Sequence, residues 1–376
     1  MLEKLRGRPI KGALSSYPSE LVKIIHDLRT KHEGWGAIPI LIELEDYGYS
    51  KSDLPGVSAV NRYLKEAGFI KQREPSSRMP SEKCQKAKHP HDLWEMDAQG
   101  ANKVKGIGAI AMINIKDQKS KIHCMAFPVH VKTKMTQPKT DSYLWAMRLA
   151  FEQWGLPKAI QVDKDSVFID NKSKSPFPSQ VHLLLIGLGI KLCFIDVPPP
   201  RKQSMVERSH QTIDRQAMRG QQHETWQQLF RFTNKRRKKL NEKLPNRMLD
   251  KKAPLIVFPE AKHSGLHYRV ETEQQLIDMK RIFKYLSKCC WFRKVSKAKT
   301  ISLDSKVYYL KNAKPETQLQ IKFCNRRKKL IFQDDKEHIV AIHPIKDFSI
   351  QHIMKATTEN LILMKKMLFK NKDFPL

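Results

Sequence analysis

Between residues 91 and 220 the chain follows one order: three β-rich runs, then helix, strand, helix, strand and helix. No other feature of the sequence limits the fold as tightly. Residues 93–98 read as a short strand, and 107–115 and 122–131 as two longer ones joined by a hairpin at 116–119. Residues 142–154 place Leu144, Trp145, Met147, Leu149 and Phe151 on an apolar-faced helix that Gly155-Leu156-Pro157 stops. A buried strand (159–162), a helix (181–188), a strand (191–195) and a polar helix (204–218) follow. Three antiparallel strands leading into alternating helices and strands predict an α/β layer with a mixed sheet.

The flanks read differently. Residues 18–70 carry three short helical patterns, with Leu21, Ile24, Ile25 and Leu28 on one face of the first. Leu54-Pro55-Gly56 makes a turn, and Ser58 is expected to cap a last helix over 59–67. Such an arrangement suits either a plain three-helix bundle or a helix-turn-helix DNA-binding module over 1–70, with Asn61, Arg62 and Lys65 reaching base and phosphate. The charge favours the second. Lys and Arg number 70 against 38 Asp and Glu, a formal net charge of +32, and a polyanion relieves such self-repulsion. Residues 71–90 form a basic linker rich in Lys and Pro. A basic helical connector is expected over 221–296, where Arg236 and Arg237 are candidate phosphate contacts. Short strands then predict a small antiparallel β-barrel over 297–348, and 349–376 a helical tail.

Three acidic positions stand out within the α/β segment. Asp97 ends the opening apolar strand, where a carboxylate is costly unless something binds it. Asp163 directly follows the buried strand 159–162, with Asp165 two positions on as a rival. Glu207 lies on the first turns of the helix entered through the proline-rich loop 198–200. His210 sits one turn later and is read as a neighbour of the site.

These segments resemble the integrase core shared by bacterial insertion-sequence transposases and retroviral integrases. The Trp94–Asp97 strand looks like that family's first Asp. Asp163-Lys164-Asp165-Ser166-Val167-Phe168 looks like its Asp-Asn-Gly-x-x-Phe element, and Val206-Glu207-Arg208-Ser209-His210 is similar to its Val-Glu-Arg helix. Asp165 stands where the family has Gly, so the turn there is expected to tolerate a side chain in the left-handed region. The 44 positions between the second and third carboxylates (207 − 163) point to an insertion over 171–180. The resemblance implies a ribonuclease-H-like core over 91–220 with a mixed five-stranded sheet. It implies two Mg²⁺ or Mn²⁺ ions held by Asp97, Asp163 and Glu207, and DNA 3′-end cleavage with strand transfer into a target. Lys164, Lys202 and Arg208 are candidates for neutralising phosphate beside the metals. Expected partners are element-end and target DNA and further copies of the chain, with a helper ATPase left open. The alternatives are a non-catalytic DNA-binding or target-selecting protein on the same core, and a nuclease acting on hybrids.

Six cysteines without a Cys-x-x-Cys pair suggest reduced thiols and no zinc module. With no apolar leader and no spanning apolar run, a cytoplasmic, bacterial nucleoid-associated protein away from membranes is expected.

Overall fold

A computed structural model describes residues 12–31, 35–70, 86–133, 137–169, 175–195, 204–218 and 222–368, except for the side chains of 204–207. The chain divides into two compact units, Met1–Glu74 and Pro75–Leu376. In the first, helices α1 (Ser19–Lys31), α2 (Ala37–Asp46) and α3 (Val57–Glu66) surround a core of Leu21, Ile25, Leu28, Ile40, Leu44, Val60 and Leu64. These are the apolar positions that recur at helical spacing. Helix α3 starts earlier than predicted: Gly56, not Ser58, is the cap residue, and no side chain bonds the free amides there. Arg29 ties the ends together by donating to the carbonyls of Trp35 and Phe69.

The second unit is built on five strands. β1 (Trp94–Val104), β2 (Gly108–Asp117) and β3 (His123–His130) meander antiparallel, while β4 (Ala159–Val162) and β5 (Lys191–Phe194) run parallel to β1. The spatial order is β3-β2-β1-β4-β5, a mixed sheet as predicted. β1 continues well past residue 98. Its polar stretch 99–103 stays paired with β2 through a bulge between Gln99 and Asn102, and an apolar-pattern reading misses that.

Alternation along the strands divides two layers. Trp94, Met96, Ile113 and Ile115 face a core shared with α4 (Thr140–Trp154) and α5 (Gln180–Gly187). Ile110 and Met112 face Ile213, Ala217, Met218 and Leu229. Those residues belong to α6 (Ser204–Ile213), its π-helical continuation Asp214–Met218, and α7 (Trp226–Glu242).

Short helices α8 (Pro254–Val257), α9 (Glu273–Leu276) and α10 (Met279–Leu286) lead to β6 (Cys290–Lys294). β7 (Thr300–Leu303) and β8 (Lys306–Tyr309) pair only with each other. β9 (Gln318–Cys324), β10 (Lys329–Gln333) and β11 (Ile339–Pro344) join β6 in an antiparallel sheet of order β11-β10-β9-β6. The predicted closed barrel is therefore not formed, because β11 and β6 remain open edges. One face of the sheet packs inward instead, and Trp291, Ile321 and Phe332 share a continuous core with Trp94 and Phe151. Helices α11 (Ile350–Met354) and α12 (Thr358–Leu368) follow. Buried Arg148 ties in α11, donating to both Glu273 oxygens at 3.0 and 2.8 Å and to the Met354 carbonyl at 2.7 Å, and Lys365 ties in α12 through Glu152 and Glu271.

Cys124, Cys289, Cys290 and Cys324 are free thiols, as expected, but Cys193 is disulfide-bonded. Among the described residues no helix is long and apolar enough to cross a membrane.

Candidate active site

β1 and β4 pair at Trp94↔Ile160 and Glu95↔Gln161, an offset of 66 residues (160 − 94). Carried two positions further, that offset sets Asp97 beside Asp163, the first residue past β4. Neighbouring strands lie about 4.8 Å apart. The strand that ends at this point is β4 and not β1, so Asp97 sits within its own strand, opposite Asn114 of β2. Period-two alternation turns Glu95 and Asp97 away from Trp94 and Met96, toward the face on which α6 packs across β1 and β2. Glu207 belongs to α6. Its side chain, and all of Lys202, lie outside the described residues.

Around Asp97 the polar groups are incompletely matched. Its Oδ1 accepts a hydrogen bond from the Ala98 amide at 2.8 Å, and its Oδ2 lies 3.6 Å from His210 Nε2. Burial lowers the His210 imidazole to about 4, so the ring is neutral. Among the described residues His210 Nε2 has no hydrogen-bond partner, and neither has either amide atom of fully buried Asn114. Buried polar atoms left unpaired are rare and call for a bound group or solvent to complete them.

Asp163 is half-buried, and burial followed by repulsion from Asp165 raises it above the usual carboxylate range. Tyr143 on α4 senses the whole cluster. Burial, then the negative fields of Asp165, Asp97 and Asp163, push its phenol well up. Its ring packs edge-on against Phe168 at 5.2 Å. Asp165 is engaged by its own turn, where its Oδ1 accepts from Ser166 Oγ at 3.0 Å and the Val167 amide at 3.2 Å. It does not adopt the left-handed backbone expected from its replacement of a Gly. Asp163 likewise accepts backbone hydrogen bonds within this turn, from its own amide and that of Asp165, so it is the strand register that sets it beside Asp97.

Among the described residues no three His, Cys, Asp or Glu side chains gather closely enough to hold a metal ion by themselves. The chemistry of the donors nonetheless fits a hard divalent cation. Asp97 and Asp163 offer oxygen ligands of like charge, Asp163 binds protons more readily than an isolated carboxylate, and unpaired polar atoms surround Asp97.

The candidate DNA contacts separate. Asn61, Arg62 and Lys65 are exposed on α3, opposite buried Val60 and Leu64. Lys164 and Arg208 are exposed, next in sequence to Asp163 and Glu207. Arg236 is half-buried and hydrogen-bonded to Gln216. Arg237 has to be corrected. It is 3% exposed, and its guanidinium donates to Asn234 Oδ1, the His123 and Cys124 carbonyls and Gln153 Oε1, so four of its five N–H groups are taken up inside the fold and burial keeps it from a phosphate.

No family model matches the chain. It is similar to the HTLV-2 integrase catalytic core domain in complex with magnesium, at 15% identity and a TM-score of 0.34, over 46% of this chain and 98% of that one. It is also similar to the simian T-cell lymphotropic virus intasome in complex with PP2A regulatory subunit B56 gamma. There the identity is 13% and the TM-score 0.34, over 62% and 74% of the two chains. Against the catalytic core domain of BIV integrase the figures are 14% identity and a TM-score of 0.31, over 46% and 95%.

Sequence reasoning did not pick out Asn114 or Tyr143. Asn114 leaves a signal, a lone amide between Ile113 and Ile115 in an apolar strand. Tyr143 leaves none, since an aromatic on an apolar helix face reads as core.

Proposed function

We propose that this chain is a metal-dependent polynucleotidyl transferase of the integrase-core type, with a ribonuclease-H-like catalytic core. It cleaves the 3′ end of a DNA element and joins the freed 3′-hydroxyl to target DNA. The observation that most supports this reading is the β1–β4 register, which brings Asp97 level with Asp163 on the sheet that α6, the helix of Glu207, covers. Asp97, Asp163 and Glu207 would hold two Mg²⁺ or Mn²⁺ ions, which stabilise charge on the attacking and leaving oxygens of an in-line displacement.

The chain's own residues do the rest. Asp163 must give up its proton to act as a ligand, which a bound cation itself favours. Neutral His210, 3.6 Å from Asp97, and the Asn114 amide on the neighbouring strand leave polar atoms at the site for substrate or water to complete. Lys164, Lys202 and Arg208 neutralise phosphate at the cleft. In the first unit, α3 presents Asn61, Arg62 and Lys65 to a DNA groove as a helix-turn-helix would. Handling two element ends together calls for at least two copies of the chain.

The test uses a labelled duplex carrying an element end, a target plasmid, and Mg²⁺ or Mn²⁺. Label joined to the target is the expected result. Hydrolysis without joining points to a nuclease, and tight binding without either product to a DNA-binding protein; both overturn the proposal.

A further inference from the structure

The outer face of α7 carries a straight row of cations. Arg231, Lys235 and Lys239 recur every four residues, Lys243 stands at the cap one step further, and Lys238 lies beside them; all five are exposed. The buried side of the helix is a different set: Leu229, Phe230, Thr233, Asn234, Arg237 and Asn241. At 1.5 Å per residue the row is about 18 Å long in steps of about 6 Å.

A row of this kind works against the helix that bears it. Like charges four residues apart destabilise a helix, and the only acidic residue in α7 is Glu242. Among the described residues, Lys235, Lys238, Lys239 and Lys243 have no ion-pair partner. The helix dipole favours cations near the C-terminus, which accounts for Lys239 and Lys243 but not for Arg231 or Lys235.

We propose that this row is a track for the phosphate backbone of a DNA duplex, separate from the carboxylate site. Helix α7 packs on β3, the edge strand, with β2 between it and β1. A duplex is the partner that matches the geometry. Its anions repeat along a stiff rod at about 3.4 Å per phosphate of one strand, so the row spans about five phosphate steps. An acidic helix also offers charges about 6 Å apart, but a duplex alone continues that charge as a stiff rod beyond the row, and the comparison with polyglutamate separates the two. The role of the track, holding target DNA while an element end occupies the carboxylate cleft, rests on the transferase reading; the binding itself does not.

The test is duplex binding by the full chain in EDTA, read by fluorescence anisotropy across a range of salt concentrations. A K235A/K238A/K239A variant is compared with K311A/K314A/K336A, which removes the same charge from exposed positions elsewhere. Each lost phosphate contact lowers the slope of log K against log salt by about 0.9. The α7 variant is expected to lose about 2 to 3 from that slope and to bind on the order of tenfold more weakly, the control to lose less than about 1, and K235R/K238R/K239R to keep the parent slope. If the two alanine variants behave alike, net charge alone is responsible and the proposal fails. It fails equally if the α7 variant keeps its DNA affinity but loses affinity for polyglutamate, which would make the partner an acidic protein.

Discussion

Replacing Arg237 by alanine separates a structural arginine from a DNA contact. In the structure Nε donates to Asn234 Oδ1 at 3.0 Å, one terminal nitrogen to the His123 and Cys124 carbonyls at 2.9 and 2.8 Å, and the other to Gln153 Oε1. The guanidinium also lies over the Trp154 ring, 5.9 Å from its centroid. After truncation both carbonyls keep a donor, His123 from Asn241 Nδ2 and Cys124 from Trp154 Nε1. Asn234 Oδ1 and Gln153 Oε1 lose theirs, at about 1–3 kcal/mol for each buried orphan, with half-buried Gln153 at the lower end. The lost cation–π contact adds about 1 kcal/mol. Part of this is offset because burial, which lowers Arg237 to about 10, already makes its charge costly. The expected loss is about 3 kcal/mol, read as a shift of the urea midpoint by far-UV circular dichroism. The salt slope for duplex binding stays at the parent value. Unchanged stability together with a slope lowered by about 1 would refute the reasoning, because it would put Arg237 on a phosphate.

Other substitutions probe the site and its frame. Asp163→Asn is expected to stabilise the metal-free chain at neutral pH while abolishing joining, because it removes a charge that is costly through burial and then through repulsion from Asp165. The folded pKa of Asp163 is raised, so its favourable contribution is present below the unfolded pKa and is lost as pH rises through the folded one. The gain of the variant should therefore appear on the neutral side and vanish in acid, and thermal melts in EDTA across that range would show it. Gly155→Ala is expected to cost about 2 kcal/mol or more, measured by urea unfolding. Gly155 has φ +76° at the end of α4, and an added Cβ would stand 2.3 Å from Ser264 Oγ and 2.7 Å from the Leu266 carbonyl. Glu273→Gln leaves Arg148 buried without its counter-ion, at about 3–5 kcal/mol, and the double replacement R148M/E273L should recover most of that loss.

The sequence announced its elements better than their assembly. The three helices of the first unit and the succession of strands and helices along the second followed from apolar residues recurring at periods near four and two, a pattern set by local geometry. β1 was cut short because the bulge at 99–102 breaks that alternation without breaking the ladder. The C-terminal strands were legible one by one, but closure into a barrel depends on whether the edges meet. β6, whose Cys290-Trp291-Phe292 run follows basic helical text, went unread as a strand. Arg237 was misjudged for a geometric reason. Adjacent residues on a helix point about 100° apart, so Lys235, Arg236 and Arg237 face solvent, the flank and the core in turn. The spacing Phe230, Asn234, Arg237, Asn241 would have shown which face is buried. In the candidate site Asp163 was legible as a carboxylate just past a buried strand, whereas Asp97, read as a strand end, lies inside β1. His210 was read as a neighbour of the site from its place one turn past Glu207, but Asn114 became visible only through register and packing.

The central claim is that Asp97, Asp163 and Glu207 together carry metal-dependent DNA joining, with Asp165 confined to its own turn. The most direct measurement is strand transfer by the full chain and by the D97N, D163N, E207Q and D165N variants, at matched folding and DNA affinity. Joining should fall by more than about 100-fold in the first three, since even the groups that support metal ligands typically contribute 10–100-fold. D165N should stay within about tenfold of the parent, on the same scale. Joining at the parent level by D97N, or an active D163N beside an inactive D165N, would contradict the assignment.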